Sequence, residues 1–323
     1  MATSSLTFGV ILSCALLLAT ATHGLQVGYY KKTCPSAEVL VRAAVKKALL
    51  ANPGVGAGLI RMLFHDCFVE GCDASVLLDP TQENPQPEKL GRPNNPSLRG
   101  YEVIDAAKSA VEKACPGTVS CADIVAFAGR DASYLLSNSK VSFHMPAGRL
   151  DGRKSLASET GVFLPGPSSN LSSLVSAFAG KGLSAEDMVV LSGAHSIGRS
   201  HCTSFVQTRL SAPSDIAASL ATLLRKQCPA NPTTANDAVV SQDVVSPDVL
   251  DNQFYKNVLA HNVLFTSDAV LLSAPNTARM VRANARFAGS WEKKFAKAMV
   301  KMAAIGVKTG RDGEIRKNCR LVN

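Results

Sequence analysis

Arg61-Met62-Leu63-Phe64-His65-Asp66-Cys67-Phe68-Val69-Glu70-Gly71-Cys72-Asp73-Ala74-Ser75 brings a cation, an imidazole, three carboxylates and two cysteines into one short segment. The apolar residues around Arg61 and His65 predict a helix, and on a helix those two side chains, four apart, share one face. A fixed cation beside an imidazole lowers its pKa, so His65 is expected to be neutral and able to accept a proton. Arg/His pairs on helices are more often structural than catalytic, so the spacing alone does not assign a role. Downstream, a Cys67–Cys72 bond would close a small ring with Asp66 and Asp73 just outside its ends, and Gly71 would ease the turn. Such a loop offers carboxylates, the Ser75 hydroxyl and main-chain carbonyls, a donor set suited to calcium. An ordinary Asp/Ser turn would look similar.

A second chemical segment is Leu191-Ser192-Gly193-Ala194-His195-Ser196-Ile197-Gly198, placed at the end of a predicted helix. A lone histidine is usually a satisfied core residue. It becomes a metal-ligand candidate when a carboxylate orients its other nitrogen, and Asp268 is one candidate for that carboxylate. Asp243, Ser246 and Asp251 form a second, weaker oxygen cluster.

Around these segments the chain reads as helical. Ser36–Asn52 carries apolar residues at helical spacing, with Ser36 as cap and Pro53-Gly54 as stop. Glu102–Ala114, Cys121–Leu136, Ile216–Lys226, Asn252–His261, Thr277–Arg286 and Trp291–Ala304 read likewise, with Cys121–Leu136 apolar enough to lie deep. Leu171, Leu174, Val175 and Phe178 form one stripe. Ser184 and Asp187 frame a capping box opening a helix towards His195. Gly/Pro-rich loops are expected at Asp79–Pro96 and Gly161–Ser169. Strand signals are short and scattered, so the expected fold class is mostly α.

The chain has 323 residues, of which 46% are hydrophobic and 18% charged. That is enough apolar material for a sizeable core and excludes wholesale disorder. Residues 1–24 read as a signal peptide with cleavage near Gly24, because their apolar run is too short to span a bilayer. The rest, 25–323, is taken as the mature chain. It keeps eight cysteines, Cys34, Cys67, Cys72, Cys115, Cys121, Cys202, Cys228 and Cys319, an even number that points to a paired, oxidised framework. Spacing alone leaves the connectivity open. The net charge of +9 is dispersed along the chain, which argues against nucleic acid as a partner. It is compatible with attraction to anionic wall polysaccharide, or simply with solubility. No second apolar segment is long enough for a membrane helix. Asn170-Leu171-Ser172 is an N-glycosylation sequon after an exposed, Pro-rich loop.

From about Gln26 to Cys319 the chain resembles the plant secretory (class III) haem peroxidases. The matching motifs are Gly58–Ser75, Leu98-Arg-Gly-Tyr-Glu-Val-Ile-Asp105, Val119-Ser-Cys-Ala-Asp123, Leu191–His195, Gly306–Gly310 and Gly313–Arg316 with Cys319. The resemblance implies one haem peroxidase domain of about ten or more helices, in distal and proximal halves with haem b between them. His195 looks like the axial ligand of the haem iron and Asp268 like its hydrogen-bond partner. His65 looks like the distal acid/base and Arg61 like the distal cation. Asn94 matches the residue holding the far nitrogen of His65, and Glu88 the carboxylate behind Asn94. Pro165 matches the donor-binding position at the haem edge, and Asp123 with Arg149 a buried ion pair. Two calcium ions are implied, one on Asp66, Val69, Gly71, Asp73 and Ser75, the other on Ser196, Asp243, Ser246, Val249 and Asp251. The implied disulfides are Cys34–Cys115, Cys67–Cys72, Cys121–Cys319 and Cys202–Cys228. The long loops closed by the first and third should each restrict the unfolded chain by about 4 to 5 kcal/mol in the entropy model.

The function so implied is reduction of hydrogen peroxide with one-electron oxidation of small phenolic donors, by a secreted monomer in the apoplast or cell wall. The short stretch after Cys319 favours that location over the vacuole. Leu150, Ile197 and Ser204 differ from residues common at those positions in the family, which bears on donor preference. Ser196 and Ser246 stand in for frequent threonines. Two rival readings are a non-catalytic, wall-bound relative and a secreted metal-dependent hydrolase, the latter without a compact ligand motif such as HExxH.

Overall fold

A computed structural model describes residues 24–323; the signal segment expected over 1–24 lies, but for Gly24, outside the described residues. The chain winds into twelve α-helices among the described residues, the longer ones on apolar positions three and four apart. They are α1 (Ala37–Ala51), α2 (Gly54–Phe68), α3 (Tyr101–Ala114), α4 (Cys121–Leu136), α5 (Ala157–Phe163) and α6 (Leu171–Gly180). After these come α7 (Ala185–Ser192), α8 (Ala218–Gln227), α9 (Gln253–Leu259), α10 (Thr266–Ala269), α11 (Pro275–Arg286) and α12 (Ala288–Met302). One antiparallel pair, β1 (Arg199–His201) and β2 (Val239–Ser241), supplies the extended structure, with Ser200 opposite Val240. The expectation of a mostly helical chain with few short strands holds.

In the first half of the chain α2 packs on α4 and α1 on α3; in the second, α12 and α11 pack on α7 and α11 on α9. Both halves feed one apolar core, in which Met62, Leu63, Phe127, Trp291 and Phe295 are fully buried. A satellite core gathers Cys202, Phe205, Leu220, Leu224, Cys228 and Leu264. The β1–β2 pair has a positional role: β1 begins just after His195–Gly198, and β2 runs directly into Asp243. Two distant oxygen-bearing segments are thereby pinned side by side.

Four disulfides join Cys34–Cys115, Cys67–Cys72, Cys121–Cys319 and Cys202–Cys228, the pairing that the resemblance implied. Asp123 and Arg149 form a fully buried ion pair, Oδ1 to Nη1 2.6 Å. The capping box of α7 is present, Ser184 Oγ accepting from the Asp187 amide at 3.1 Å while Asp187 accepts from the Ser184 amide at 3.0 Å.

Three local expectations need correction. Ser36 precedes α1 but makes no capping hydrogen bond through its side chain. Gly161–Phe163, expected in a loop, belongs to α5. That helix is too short to show a period and is held by tertiary contact, its buried Thr160 lying against Gly91. Finally, α11 begins at Pro275 rather than Thr277, because proline is suited to the first helical position.

Candidate active site

Two histidines from different halves of the fold define the site. His65 sits on the last turns of α2, a helix whose Val55, Leu59, Met62 and Leu63 are buried against neighbouring helices. Its Nδ1 lies 2.5 Å from Asn94 Oδ1. The Asn94 amide nitrogen donates to the main-chain carbonyl of Glu88 at 2.6 Å, which fixes the side-chain oxygen towards the imidazole. Nδ1 of a neutral His65 therefore carries the hydrogen and donates it, leaving Nε2 with a free lone pair. Burial pushes His65 well below the usual imidazole range, and the Arg61 charge pushes it further, against the hydrogen bond to Asn94.

Glu88 acts here otherwise than expected. Its carbonyl, not its carboxylate, backs Asn94, and both carboxylate oxygens are buried without a hydrogen-bond partner. Burial, reinforced by the Asp66 charge, pushes this carboxyl well above its ordinary range. The family resemblance pointed to this residue but could not say which of its oxygens faces the amide.

Arg61 is one turn before His65 on α2. Its Nη2 donates to the Pro93 carbonyl at 2.7 Å and its Nη1 to Ser97 Oγ at 3.0 Å. Burial, then the nearby Arg99, lowers it to about 10, which leaves it charged at neutral pH. Ser97 and Pro93 were not legible as partners, because they belong to an irregular loop brought to α2 only by folding.

His195 follows α7 in a single tight turn, Gly193–Ser196. Its Nδ1 is 2.8 Å from Asp268 Oδ1, on the four-residue α10. A carboxylate accepts the Nδ1 hydrogen, so Nε2 again holds a free lone pair, the form in which imidazole binds a metal. Phe254 and Phe265 stand edge-on to the ring at 5.9 and 5.4 Å. Burial pulls the imidazole down, but the Asp268 charge and hydrogen bond outweigh it and leave His195 raised. Gly193 is forced by packing: a Cβ there would lie 2.6 Å from the Tyr255 hydroxyl and 2.7 Å from Trp291 Nε1. Tyr255 and Trp291 in turn donate to main-chain carbonyls of Val189 and Val190, which anchors the end of α7.

The two histidines lie within reach of one cation. The Arg61 charge acts on both imidazoles. The His195 side chain keeps 39% of its surface accessible, so its ring borders open space rather than packed core. An imidazole whose Nδ1 is held by a carboxylate presents Nε2 as a metal ligand once that nitrogen is free of its proton, and the residues present fit a haem iron that His195 would hold. Pro165 stands in a turn whose Pro167 carbonyl accepts from the Ser267 amide at 3.0 Å, which ties this turn to the helix carrying Asp268.

The oxygen clusters also gather. Asp66 and Asp73 are buried, and Asp66 Oδ1, Asp73 Oδ2 and Ser75 Oγ make no hydrogen bond. Three buried oxygens without a hydrogen bond, of which only Asp73 Oδ2 meets a protein cation, Lys308 Nζ at 3.3 Å, are a costly arrangement unless a further cation satisfies them. Gly71 permits the turn with φ +115°, and a Cβ there would meet the Gly306 carbonyl at 2.4 Å. In the second cluster Asp243 Oδ2 is buried and unpartnered, Ser246 Oγ is 3.2 Å from Asp251 Oδ2, and the Asp251 amide donates to Ser196 Oγ at 3.2 Å. The Val249 amide donates to the Ser246 carbonyl, which closes the turn. Both donor sets are oxygen only, as calcium prefers. Among the described residues no three His, Cys, Asp or Glu side chains converge as a zinc-type centre would require. Asn170 is exposed at the start of α6, its side-chain oxygen capping the Ser173 amide at 2.9 Å.

Residues 41–286 match the protein-family model described as Peroxidase. The chain is 62% identical over 314 residues to Peroxidase 2 of Zea mays, covering 97% of this chain and 94% of that protein. It is 49% identical to Peroxidase 1 of Zea mays, covering 96% and 86% of the two chains. Identity to Peroxidase 5 of Vitis vinifera is 47%, covering 99% and 97%.

Proposed function

The chain belongs to the peroxidase family, in its plant secretory (class III) branch, and on that premise we propose that it reduces hydrogen peroxide while oxidising small phenolic donors. The observation that carries this reading is the pair of oriented imidazoles, each with a free Nε2, under the field of one arginine. His195 would hold the haem iron and Asp268 would increase the electron donation of that imidazole. Haem, when bound, supplies the reduction of peroxide and the one-electron oxidation of donors. His65 Nε2 takes a proton from one peroxide oxygen and returns it to the other, which leaves as water. Asn94 keeps the imidazole in the tautomer this needs. Arg61, fixed by Ser97 and Pro93, stabilises the negative charge growing on the departing oxygen without having to reorganise. Donors would reach the site beside Pro165.

Two calcium ions would complete the structure, the first on Asp66, Val69, Gly71, Asp73 and Ser75 and the second on Ser196, Asp243, Ser246, Val249 and Asp251. Asp66 adjoins His65 and Ser196 adjoins His195, so each ion would steady one catalytic histidine. Stripping calcium from the haem-loaded protein is expected to lower its melting temperature and its activity together. A ligand present at 100 times its Kd stabilises by about 2.7 kcal/mol, which sets the scale of the loss. An unchanged melting curve after verified metal removal would count against both sites.

Further parts of the reading are a single domain over 25–323, secretion to the apoplast or wall, a monomer, a glycan on Asn170, and association of the basic surface with anionic wall polysaccharide. No described helix is long and apolar enough to cross a membrane. The test of the activity is rapid mixing of the purified haem-loaded protein with hydrogen peroxide, followed by a simple phenol. A protein that binds haem but does not react with peroxide would instead be a non-catalytic relative.

A further inference from the structure

Two lysines from distant parts of the chain reach into the first oxygen cluster. Lys308 lies just beyond Gly306, the residue packed on Gly71, and its Nζ stands 3.3 Å from Asp73 Oδ2. That is an ion-pair distance, although the geometry is not that of a hydrogen bond. The same ammonium donates to the Glu70 carbonyl at 3.2 Å and lies 3.7 Å from the Glu70 carboxylate. Lys181, at the end of α6, donates to the Val69 carbonyl at 3.1 Å from another side. Asp73 and Val69 are two of the oxygen donors assigned to calcium above. Asp66 Oδ1 and Ser75 Oγ are reached by neither lysine and stay unpartnered.

We propose that Lys308 and Lys181 are tethered counter-cations of this loop, which compete with calcium for Asp73 and Val69, weaken its binding, and hold the loop together when the ion is absent. The physics is that of fixed charge. A divalent ion on these oxygens meets two ammonium groups at close range and must displace or repel them, which costs affinity. Without the ion, the same ammoniums offset part of the buried charge of Asp73 and the partial charge of the Val69 carbonyl. Glu70 gives Lys308 an alternative partner once calcium takes Asp73, so the exchange leaves no cation stranded. Lys154, 2.5 Å from the Glu70 carboxylate, keeps that partner in place. The consequence is a distal loop, directly after His65, whose order depends less on calcium than its ligand set alone would require.

The inference rests on the calcium reading, and the experiment separates the two. The haem-loaded protein is stripped of metal, checked by metal analysis, and titrated with calcium chloride in a calorimeter; its melting temperature is read with and without calcium. Lys308→Met is expected to tighten one calcium site about tenfold and to lower the melting temperature of the calcium-free protein. Lys308→Arg, which keeps the charge, is expected to stay within about twofold of the parent. Lys181→Met should move both readings in the same direction as Lys308→Met, and it decides the matter if Lys308→Met fails to fold. Calcium affinity unchanged or weakened in the folded methionine variant overturns the inference, as does an arginine variant that behaves like the methionine one. A parent protein that binds no calcium overturns the calcium reading itself.

Discussion

Replacing His65 by alanine slows the reaction of the haem-loaded protein with hydrogen peroxide by about 10²–10⁴-fold, the usual contribution of a positioned acid/base group. Haem content and melting temperature stay close to the parent, because His195, which would hold the iron, is untouched. The expectation follows from the Asn94 contact, which leaves Nε2 as the free base, and from burial and Arg61, which keep it unprotonated. The sign of the pH dependence follows too. A base whose pKa is depressed stays neutral further into acid, so the acid limb of the peroxide reaction should fall below the ordinary imidazole value of about 6.5. Arg61→Leu removes one of the two depressing influences and should move that limb upward. Near-parental kinetics in the alanine variant would remove His65 from the mechanism.

Asp123→Ala should destabilise the protein by about 3–5 kcal/mol, read from the denaturant midpoint of the haem- and calcium-loaded form. Asp123 is wholly buried and accepts from Arg149 Nη1 at 2.6 Å, the Gly148 amide at 2.7 Å and the Tyr30 hydroxyl at 2.7 Å. Its loss would leave the Arg149 charge buried without a counter-charge, facing the carbonyls of Ala303 and Pro146 and the Met145 sulfur. Burial and the Asp123 charge also push the Tyr30 hydroxyl far above its ordinary range, so it donates rather than ionises. A cost under about 1 kcal/mol would mean that solvent reaches Arg149 in the variant, contrary to the packing described.

The helices that sequence located best are those whose local signals agree. In α4 an almost unbroken apolar run coincides with burial along its length, and in α7 the Ser184–Asp187 box marks the start. Helices without such agreement were misjudged: α5 has neither a period nor a cap and exists because Thr160 finds Gly91. The catalytic residues divide in the same way. Arg61 and His65 were legible as a pair because four residues of helix put them on one face. Asn94 entered through family resemblance alone, and Asp268 was one candidate carboxylate that only the resemblance paired with His195, since nothing local relates either to the histidine it orients.

By itself, then, the sequence determined a mostly helical, oxidised chain and the identity of its chemical groups, because helix period, capping and cysteine number are properties of neighbours along the chain. Tertiary structure alone decided which atom of Glu88 faces Asn94, which nitrogen of each imidazole stays free, and that Lys308 and Lys181 meet on one loop. Those outcomes depend on the direction in which buried side chains point once distant segments pack, and burial makes each choice costly to reverse by stripping water from any group left without a partner.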